Sequence, residues 1–62
     1  MHRVIEIRPH GPCWKVLEAA GVELIFPHKE SAVLYATNLS RAERGEIHVF
    51  DSKGEIERLI PL

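Results

Sequence analysis

The residues with the most chemical potential in this chain are His10 and Cys13, which flank the turn sequence GP and precede Trp14. Imidazole nitrogen and thiolate sulfur are ligands of structural zinc, and a thiolate beside a base is a nucleophile. A closed zinc site needs four ligands, usually in two close pairs. The remaining histidines, His2, His28 and His48, supply no second close pair, although His48 can meet Cys13 on one face of a sheet. The pattern therefore predicts no metal and no cofactor.

Catalysis by other groups is equally unsupported by the sequence. Cys13 has no orienting carboxylate beside it that would help a base ionise the thiol. Glu55 and Glu57 share one side of a short segment and can gather with Glu6 and Glu46. Paired carboxylates act as acid and base only in a cleft that shifts their pKa values. One helix on one sheet offers little cleft, so the protein is predicted not to be an enzyme and to bind no small molecule.

Composition restricts the class of protein further. The chain has 62 residues, one cysteine and a formal net charge of -1. This length fits a single small domain over residues 1–62 with marginal stability. One cysteine cannot form an internal disulfide, and no apolar run approaches the ~20 residues that span a bilayer. Because Arg3 and Glu6 interrupt the first apolar stretch, no signal peptide is predicted. We expect a cytoplasmic protein with no membrane partner.

The spacing of apolar residues predicts the elements that position these groups. HRVIEIR, CWKVLE and VELIF alternate with period two, typical of strands, and PHGP and AAG separate them. In HKESAVLYATNLSRAERG the period becomes helical, with Ala32, Ala36 and Leu39 on one face. Arg41 and Arg44 fall in the predicted last turn, and Gly45 at the predicted cap. GEIHVFDSKGEIERLI predicts a hairpin around DSKG.

The predicted fold is therefore α+β, in the order β-β-β-α-β-β, with a single sheet of about five strands and one helix packed on one face. A right-handed crossover would place the fourth strand parallel within the sheet and the fifth at an edge. Trp14 is expected to pack under the helix near Ala32, Ala36 and Leu39. The strand residues predicted to face the helix are Ile5, Ile7, Trp14, Val16, Leu24, Ile47, Val49 and Ile56.

Three segments, GPCWKV, ESAVLYATNLSRAERGEIHVF and DSKGEI, resemble the small prokaryotic family known as domain of unknown function 2188. The family has a Gly-Trp-aliphatic strand, an alanine-spaced helix running into Gly-Glu and a strand, and an Asp-x-x-Gly-x-Ile turn. This chain departs from the family at His28, where Thr is usual, and at Cys13. The resemblance implies a prokaryotic, β-rich α+β domain, and it brings no catalytic residue with it.

A single helix cannot cover both faces of a sheet, so one face is expected to remain open. Apolar side chains on that face exceed the usual scatter on a monomer. The first hypothesis is therefore a non-enzymatic module for self-association or protein interaction, most simply a homodimer. Its predicted interface residues are Val4, Leu17, Ile25, Phe50 and Leu59, interleaved with Glu6, Arg8, Lys15, Glu23 and Glu57.

The alternative hypothesis is a nucleic-acid-binding module, because some DNA-binding domains place a three-stranded sheet in the major groove. This is an analogy between folds, and the near-neutral charge counts against it. The contacts would be Arg3, Arg8, Lys15, Arg41 and Arg44.

Overall fold

The elements of the chain follow the predicted order in a computed structural model, which describes residues 2–18, 21–39 and 44–61. The strands are β1 (His2–His10), β2 (Cys13–Leu17), β3 (Glu23–Phe26), β4 (Arg44–Phe50) and β5 (Ile56–Pro61), and the helix α1 (Lys29–Leu39) lies between β3 and β4. All five strands form one mixed sheet in the order β3-β2-β1-β4-β5. The helix packs on this sheet. The predicted α+β class and element order are confirmed.

The first strand in the sequence is the central strand of the sheet. β1 pairs antiparallel with β2 and parallel with β4, with Ile5 opposite Ile47 and Ile7 opposite Val49. β3 and β5 are the two edges, each antiparallel to its neighbour. The parallel entry of β4 and the edge position of β5 are both as predicted.

The core lies between α1 and one face of the sheet. Ala32 and Ala36 are fully buried and bring the helix close to the strands, because neither has a side chain beyond Cβ. The strand residues beneath them are also fully buried and are Ile5, Ile7, Val16, Ile47 and Val49. The period-two alternation therefore correctly predicted which residues of the three central strands face the helix. Within the described ranges, no helix has the length and apolarity needed to span a membrane.

Local hydrogen bonds fix the start of the helix and the last hairpin. The Ala32 N–H donates to the His28 carbonyl at 3.2 Å, so the first helical turn begins where the sequence predicted. Asp51 Oδ1 accepts from the N–H groups of Lys53 at 2.8 Å and Glu55 at 3.0 Å. The Asp51 side chain therefore replaces backbone partners in the turn between β4 and β5.

The predicted end of the helix was wrong. α1 ends at Leu39, and Arg44 begins β4, so Arg44 is not in a last helical turn. Arg41 lies outside the described residues. Gly45 is not a helix cap: it is the register partner of Arg3 in the parallel pair of β1 and β4. A Cβ at Gly45 would lie 1.9 Å from the Arg3 carbonyl oxygen, so close strand approach explains the glycine.

Trp14 packs against the core cluster that contains Ala32 and Ala36, as predicted, but near the start of the helix and not near Leu39. It is half-buried at the margin of the core, and its ring centroid lies 5.3 Å from Lys29 Nζ in the first helical turn. Its register partner is Phe26. Trp14 is thus a peripheral core residue under the start of α1, and Leu39 is at the opposite end of the helix.

A β-bulge changes the phase of β5. Arg58 is opposite Val49, but Ile56 is opposite Phe50, which leaves Glu57 as the extra residue. Ile56 is therefore not under the helix as predicted: it shares the face of Phe50 and is 49% exposed. Glu57, predicted on the open face, instead contacts Lys29 of the helix.

Candidate functional site on the open sheet face

The face of the sheet opposite α1, called the open face below, is covered by no other helix or strand among the residues that the structure describes. Its members follow from the register, because directly paired residues lie on the same side of a sheet. They are Val4, Glu6, Arg8, His10, Cys13, Lys15, Leu17, Glu23, Ile25, Glu46, His48, Phe50, Ile56, Leu59 and Pro61. The candidate site is therefore one face of the sheet, formed by side chains from all five strands.

The five residues predicted as an interface share this face but differ in exposure. Phe50 is only 8% exposed, because the Arg8 guanidinium lies 3.9 Å above its ring centroid. Leu59 and Ile25 are exposed by 56% and 50%, at opposite edges of the sheet. Val4 is exposed and Leu17 is half-buried. The two most exposed of these residues therefore lie on the edge strands, Val4 is exposed on the central strand, and Phe50 lies beneath Arg8.

Polar side chains on the open face contact their neighbours in ion pairs and in a histidine–carboxylate hydrogen bond. Arg8 Nε lies 2.9 Å from Glu6 Oε1, and Lys15 Nζ lies 3.6 Å from Glu23 Oε1. His48 Nε2 lies 2.9 Å from Glu46 Oε1. Exposed pairs of this kind add little to stability, but they arrange both signs of charge across the surface. Polar and apolar side chains are therefore interleaved on the open face, with exposed Ile25 and Leu59 on its two edge strands.

Two adjacent rows of the register carry most of this surface. One row contains Ile25, Lys15 and Arg8; the Arg8 guanidinium lies over Phe50, whose register partner is Ile56. The next row contains, from the same edge, Glu23, Leu17, Glu6, His48 and Leu59. Arg8 and Glu6 are thus the β1 members of the two rows, and Ile56 and Leu59 are the β5 members.

The basic residues of the nucleic-acid hypothesis do not form one described surface. Arg8 and Lys15 lie on the open face, each beside a carboxylate. Arg3 lies on the helix side, where its Nη2 is 3.6 Å from Glu18 Oε1. Arg41 lies outside the described residues, and Arg44 begins β4. The described members of the set are thus divided between the two faces.

A polar cluster closes the helix side of the sheet near the end of β2. Glu18 is almost buried, and its carboxylate accepts a 2.7 Å hydrogen bond from the Tyr35 hydroxyl. That hydrogen bond to a carboxylate raises the pKa of Tyr35, with desolvation and the negative charge of Glu18 acting in the same direction and Arg3 opposing them. The phenol is therefore held in its neutral form as the donor. This cluster connects β1, β2 and α1, and its contacts explain it as structural.

The other candidate chemical groups remain separate. His10 and Cys13 are register partners beside the β1–β2 turn, while His48 lies next to Glu6 in another row and is bound to Glu46. Across the described ranges, no three His, Cys, Asp or Glu side chains are placed to hold one metal ion. The carboxylates expected to gather are divided as well, since Glu57 turns to Lys29.

A shallow groove of about 360 Å³ runs between α1 and β5. Val33, Leu34 and Thr37 form its helical wall, and Arg58 lies on the strand side. Lys29 and Glu30 stand at one end, so both signs of charge are present. This arrangement has no directional set of polar groups that would select one ligand.

The outer edge of β3 is an exposed feature of the sheet that the sequence did not reveal. The Glu18 N–H donates to the Val22 carbonyl at 3.2 Å, which makes these two residues a hydrogen-bonded pair. In an antiparallel ladder such pairs alternate, so Leu24 and Phe26 also point their backbone groups toward β2. The N–H and C=O groups of Glu23 and Ile25 then point away from the sheet. The outward direction of these backbone groups follows from which residue pairs of β2 and β3 are hydrogen-bonded. The side-chain pattern of the sequence does not indicate it.

Comparisons with known proteins add no family to this description. No family model matches the chain, and no curated protein or solved structure matches it. The resemblance to domain of unknown function 2188 rests on the segments GPCWKV, ESAVLYATNLSRAERGEIHVF and DSKGEI.

Proposed function

We propose that the chain is a small non-enzymatic self-association module, and that the open face of its sheet binds the open face of a second copy. The observation that carries this proposal is the division of the sheet into a face covered by α1 and a face with exposed Ile25, Ile56 and Leu59. Water-exposed apolar groups on a marginal domain favour burial against another chain. A reducing cytoplasmic setting fits a chain with a single free cysteine.

The arrangement of charge favours a second copy as the partner. Consider a two-fold axis parallel to the plane of the sheet that runs across the strands in front of the open face, at the level between Glu6 and Arg8 of β1. This axis exchanges the row of Arg8 with the row of Glu6. Arg8 of one copy then faces Glu6 of the other, and Ile56 of one copy faces Leu59 of the other. The same operation places Ile25 opposite Glu23 and Lys15 opposite Leu17, so it matches charge at β1 and apolar groups at the β5 edge, but not the side chains of β2 and β3.

The size of the surface is compatible with a stable contact. A standard interface buries ~800 Å² per partner, which is about a fifth of the 4234 Å² accessible surface of this chain. One face of a five-stranded sheet can supply that area. Two sheets packed face to face lie ~10 Å apart, a distance that side chains of this length fill.

The test is the mass of the protein in solution, measured by light scattering across a range of concentrations. Leu59→Glu is the informative variant, because Leu59 is exposed and its change spares the core. Phe50→Glu is less useful, since Phe50 is buried beneath Arg8 and its loss would disturb the fold. Leu34→Glu is the matched control, because Leu34 is exposed by 62% on the helix, away from the open face.

We expect Leu59→Glu to halve the mass at high micromolar concentration and Leu34→Glu to leave it unchanged. A wild-type protein that stays monomeric at this concentration would contradict the proposal. So would a Leu59→Glu variant with the wild-type mass and a wild-type circular dichroism spectrum.

A further inference from the structure

The edge of β3 carries a second inference, separate from the open face. β3 is the last strand on its side of the sheet, and its residues Glu23, Leu24 and Ile25 are all exposed. We propose that β3 pairs antiparallel with β3 of a second copy about a two-fold axis at Leu24. The two sheets, with five strands in each copy, would then form one continuous sheet.

The free backbone groups select this register. With the axis at Leu24, Glu23 of each copy lies opposite Ile25 of the other. These are the residues whose N–H and C=O groups point outward, so each of the two symmetric pairs exchanges two hydrogen bonds. An axis at Ile25 would instead place Glu23 opposite Pro27, which has no N–H to donate. The register at Leu24 therefore satisfies every outward group of Glu23 and Ile25.

The side chains at the axis also fit this pairing. Leu24 is 37% exposed in the single chain and would meet its own copy in a non-hydrogen-bonded pair, with Cα atoms ~4.5 Å apart. Such a contact removes apolar surface on the helix side of the joined sheet. β3 also has few of the devices that protect edges, since its alternating residues are apolar on both faces and Glu23 is its one charge.

The two helices leave room for the contact. The axis is perpendicular to the sheet, so both helices lie on the same side, and α1 lies over β2 more than over β3. From β2 of one copy to β2 of the other are three strand spacings of ~4.8 Å, or about 14 Å. Packed helices need only 8–10 Å between axes, a typical range, so the helices do not collide.

This edge contact and the proposed open-face contact are geometrically compatible. Leu24, Val16 and Ile7 belong to one register row, which lies between the rows of Glu6 and Arg8. The two axes therefore lie at the same level along the strands. The open-face axis runs parallel to the sheet, the edge axis is perpendicular to it, and the two axes meet at a right angle. If the proposed function holds, the two contacts together close a tetramer with dihedral symmetry. If it fails, the edge contact alone gives a dimer.

The edge contact is expected to be the weaker of the two. A strand of four residues buries much less than the ~800 Å² per partner of a standard interface. The association should therefore depend strongly on protein concentration, and removal of the central contact should abolish it.

The test uses opposite charges at the axis residue. Leu24→Lys places two like charges directly opposite each other across the axis, and so does Leu24→Glu, whereas an equimolar mixture places Lys opposite Glu. We expect each variant alone to show half the wild-type mass by sedimentation at high micromolar concentration, and the mixture to recover the wild-type mass. Leu34→Lys, on the far side of the helix, is the control and should keep that mass.

A second pair of variants tests the backbone directly. Ile25→Pro removes one outward N–H and no bond to β2, whereas Ile25→Thr retains the donor and a β-branched side chain. We expect the proline variant to lose the edge contact and the threonine variant to keep it. Circular dichroism establishes that each variant is folded.

The outcomes separate the two proposals. Leu24→Lys with the wild-type mass overturns the edge contact, and an accompanying drop in the mass of Leu59→Glu leaves the open-face contact standing. A wild-type dimer that Leu24→Lys dissociates and Leu59→Glu does not supports the edge contact and overturns the open-face contact. Failure of the Lys and Glu variants to recover mass when mixed overturns the register at Leu24.

Discussion

Replacement of Gly45 by alanine is the perturbation whose effect the structure defines most sharply. Gly45 has φ +156° and lies opposite Arg3 in the parallel pair of β1 and β4. The added Cβ would lie 1.9 Å from the Arg3 carbonyl oxygen and 2.8 Å from its nitrogen. These are backbone atoms, so no change of rotamer can relieve the contact.

The expected loss of stability in Gly45→Ala follows from how far β1 and β4 must separate to accommodate the new Cβ. Ordinary contact begins at 3.4 Å, so the strands must move apart locally by about 1.5 Å. A hydrogen bond stretched by that distance is lost, and two or three lost bonds cost roughly 1 kcal/mol each. The φ of +156°, which L residues rarely adopt, adds about 1–2 kcal/mol. The total is about 3–5 kcal/mol, against the ~3–9 kcal/mol expected for the whole domain at ~0.05–0.15 kcal/mol per residue.

The assay is urea denaturation followed by circular dichroism and by Trp14 fluorescence. Gly11→Ala is the control, because Gly11 also has positive φ, at +59°, but a Cβ there meets nothing within 4 Å. It should therefore show only the backbone term of about 1–2 kcal/mol. We expect Gly45→Ala to lose at least twice the stability that Gly11→Ala loses.

Equal destabilisation by the two substitutions would refute this reasoning. It would mean that β1 and β4 are farther apart at Gly45 than the register of Arg3 and Gly45 requires. A larger effect from Gly11→Ala would refute it more strongly, since no steric term acts at that position.

Three further substitutions test the core and the polar cluster. Ile47→Ala should cost about 2–5 kcal/mol, because Ile47 is fully buried, and the exposed Leu34→Ala should cost less than about 0.5 kcal/mol in the same urea titration. Trp14→Ala should cost about 2–3 kcal/mol, less than the ~3–5 kcal/mol of a fully buried aromatic, because its ring is half-buried; parent emission typical of a water-exposed indole would contradict this. Folding raises the pKa of Tyr35. The hydrogen bond of Tyr35 therefore contributes to the free energy of unfolding below the pKa of the unfolded state, about 10, and this contribution is lost as pH rises through the pKa of the folded state. Stability should then fall more steeply above about pH 10 in the wild type than in Tyr35→Phe, and parallel profiles would be evidence against the bond to Glu18.

Much of the sheet could be predicted because strand alternation is a local property. Ile5 and Ile7, or Ile47 and Val49, face the same way whatever strand lies beside them. The same reasoning failed for Ile56, because the bulge at Glu57 shifts the phase and no residue type marks it. A period-two pattern cannot show an extra residue in only one strand of a pair.

The remaining errors concern contacts between distant parts of the chain. Gly45 after a helical pattern was interpreted as a cap, whereas the backbone of Arg3, at the other end of the sequence, determines its role. The association of Glu18 with Arg3 and Tyr35 is equally non-local. The five open-face residues were placed on one face by alternation, but the burial of Phe50 under Arg8 depends on the pairing of β1 with β4.

The central position of β1 has a consequence for folding kinetics. The hairpins of β1, β2 and β3 join neighbouring segments and can form as soon as those residues leave the ribosome. The pairing of β1 with β4 joins His2 to Arg44, so it must close a long loop before any contact offsets the entropy. Until β4 is made, β1 is an open edge that carries Ile5 and Ile7. Folding should therefore be limited by the docking of β4, and nascent chains that stop before residue 44 should be the aggregation-prone species.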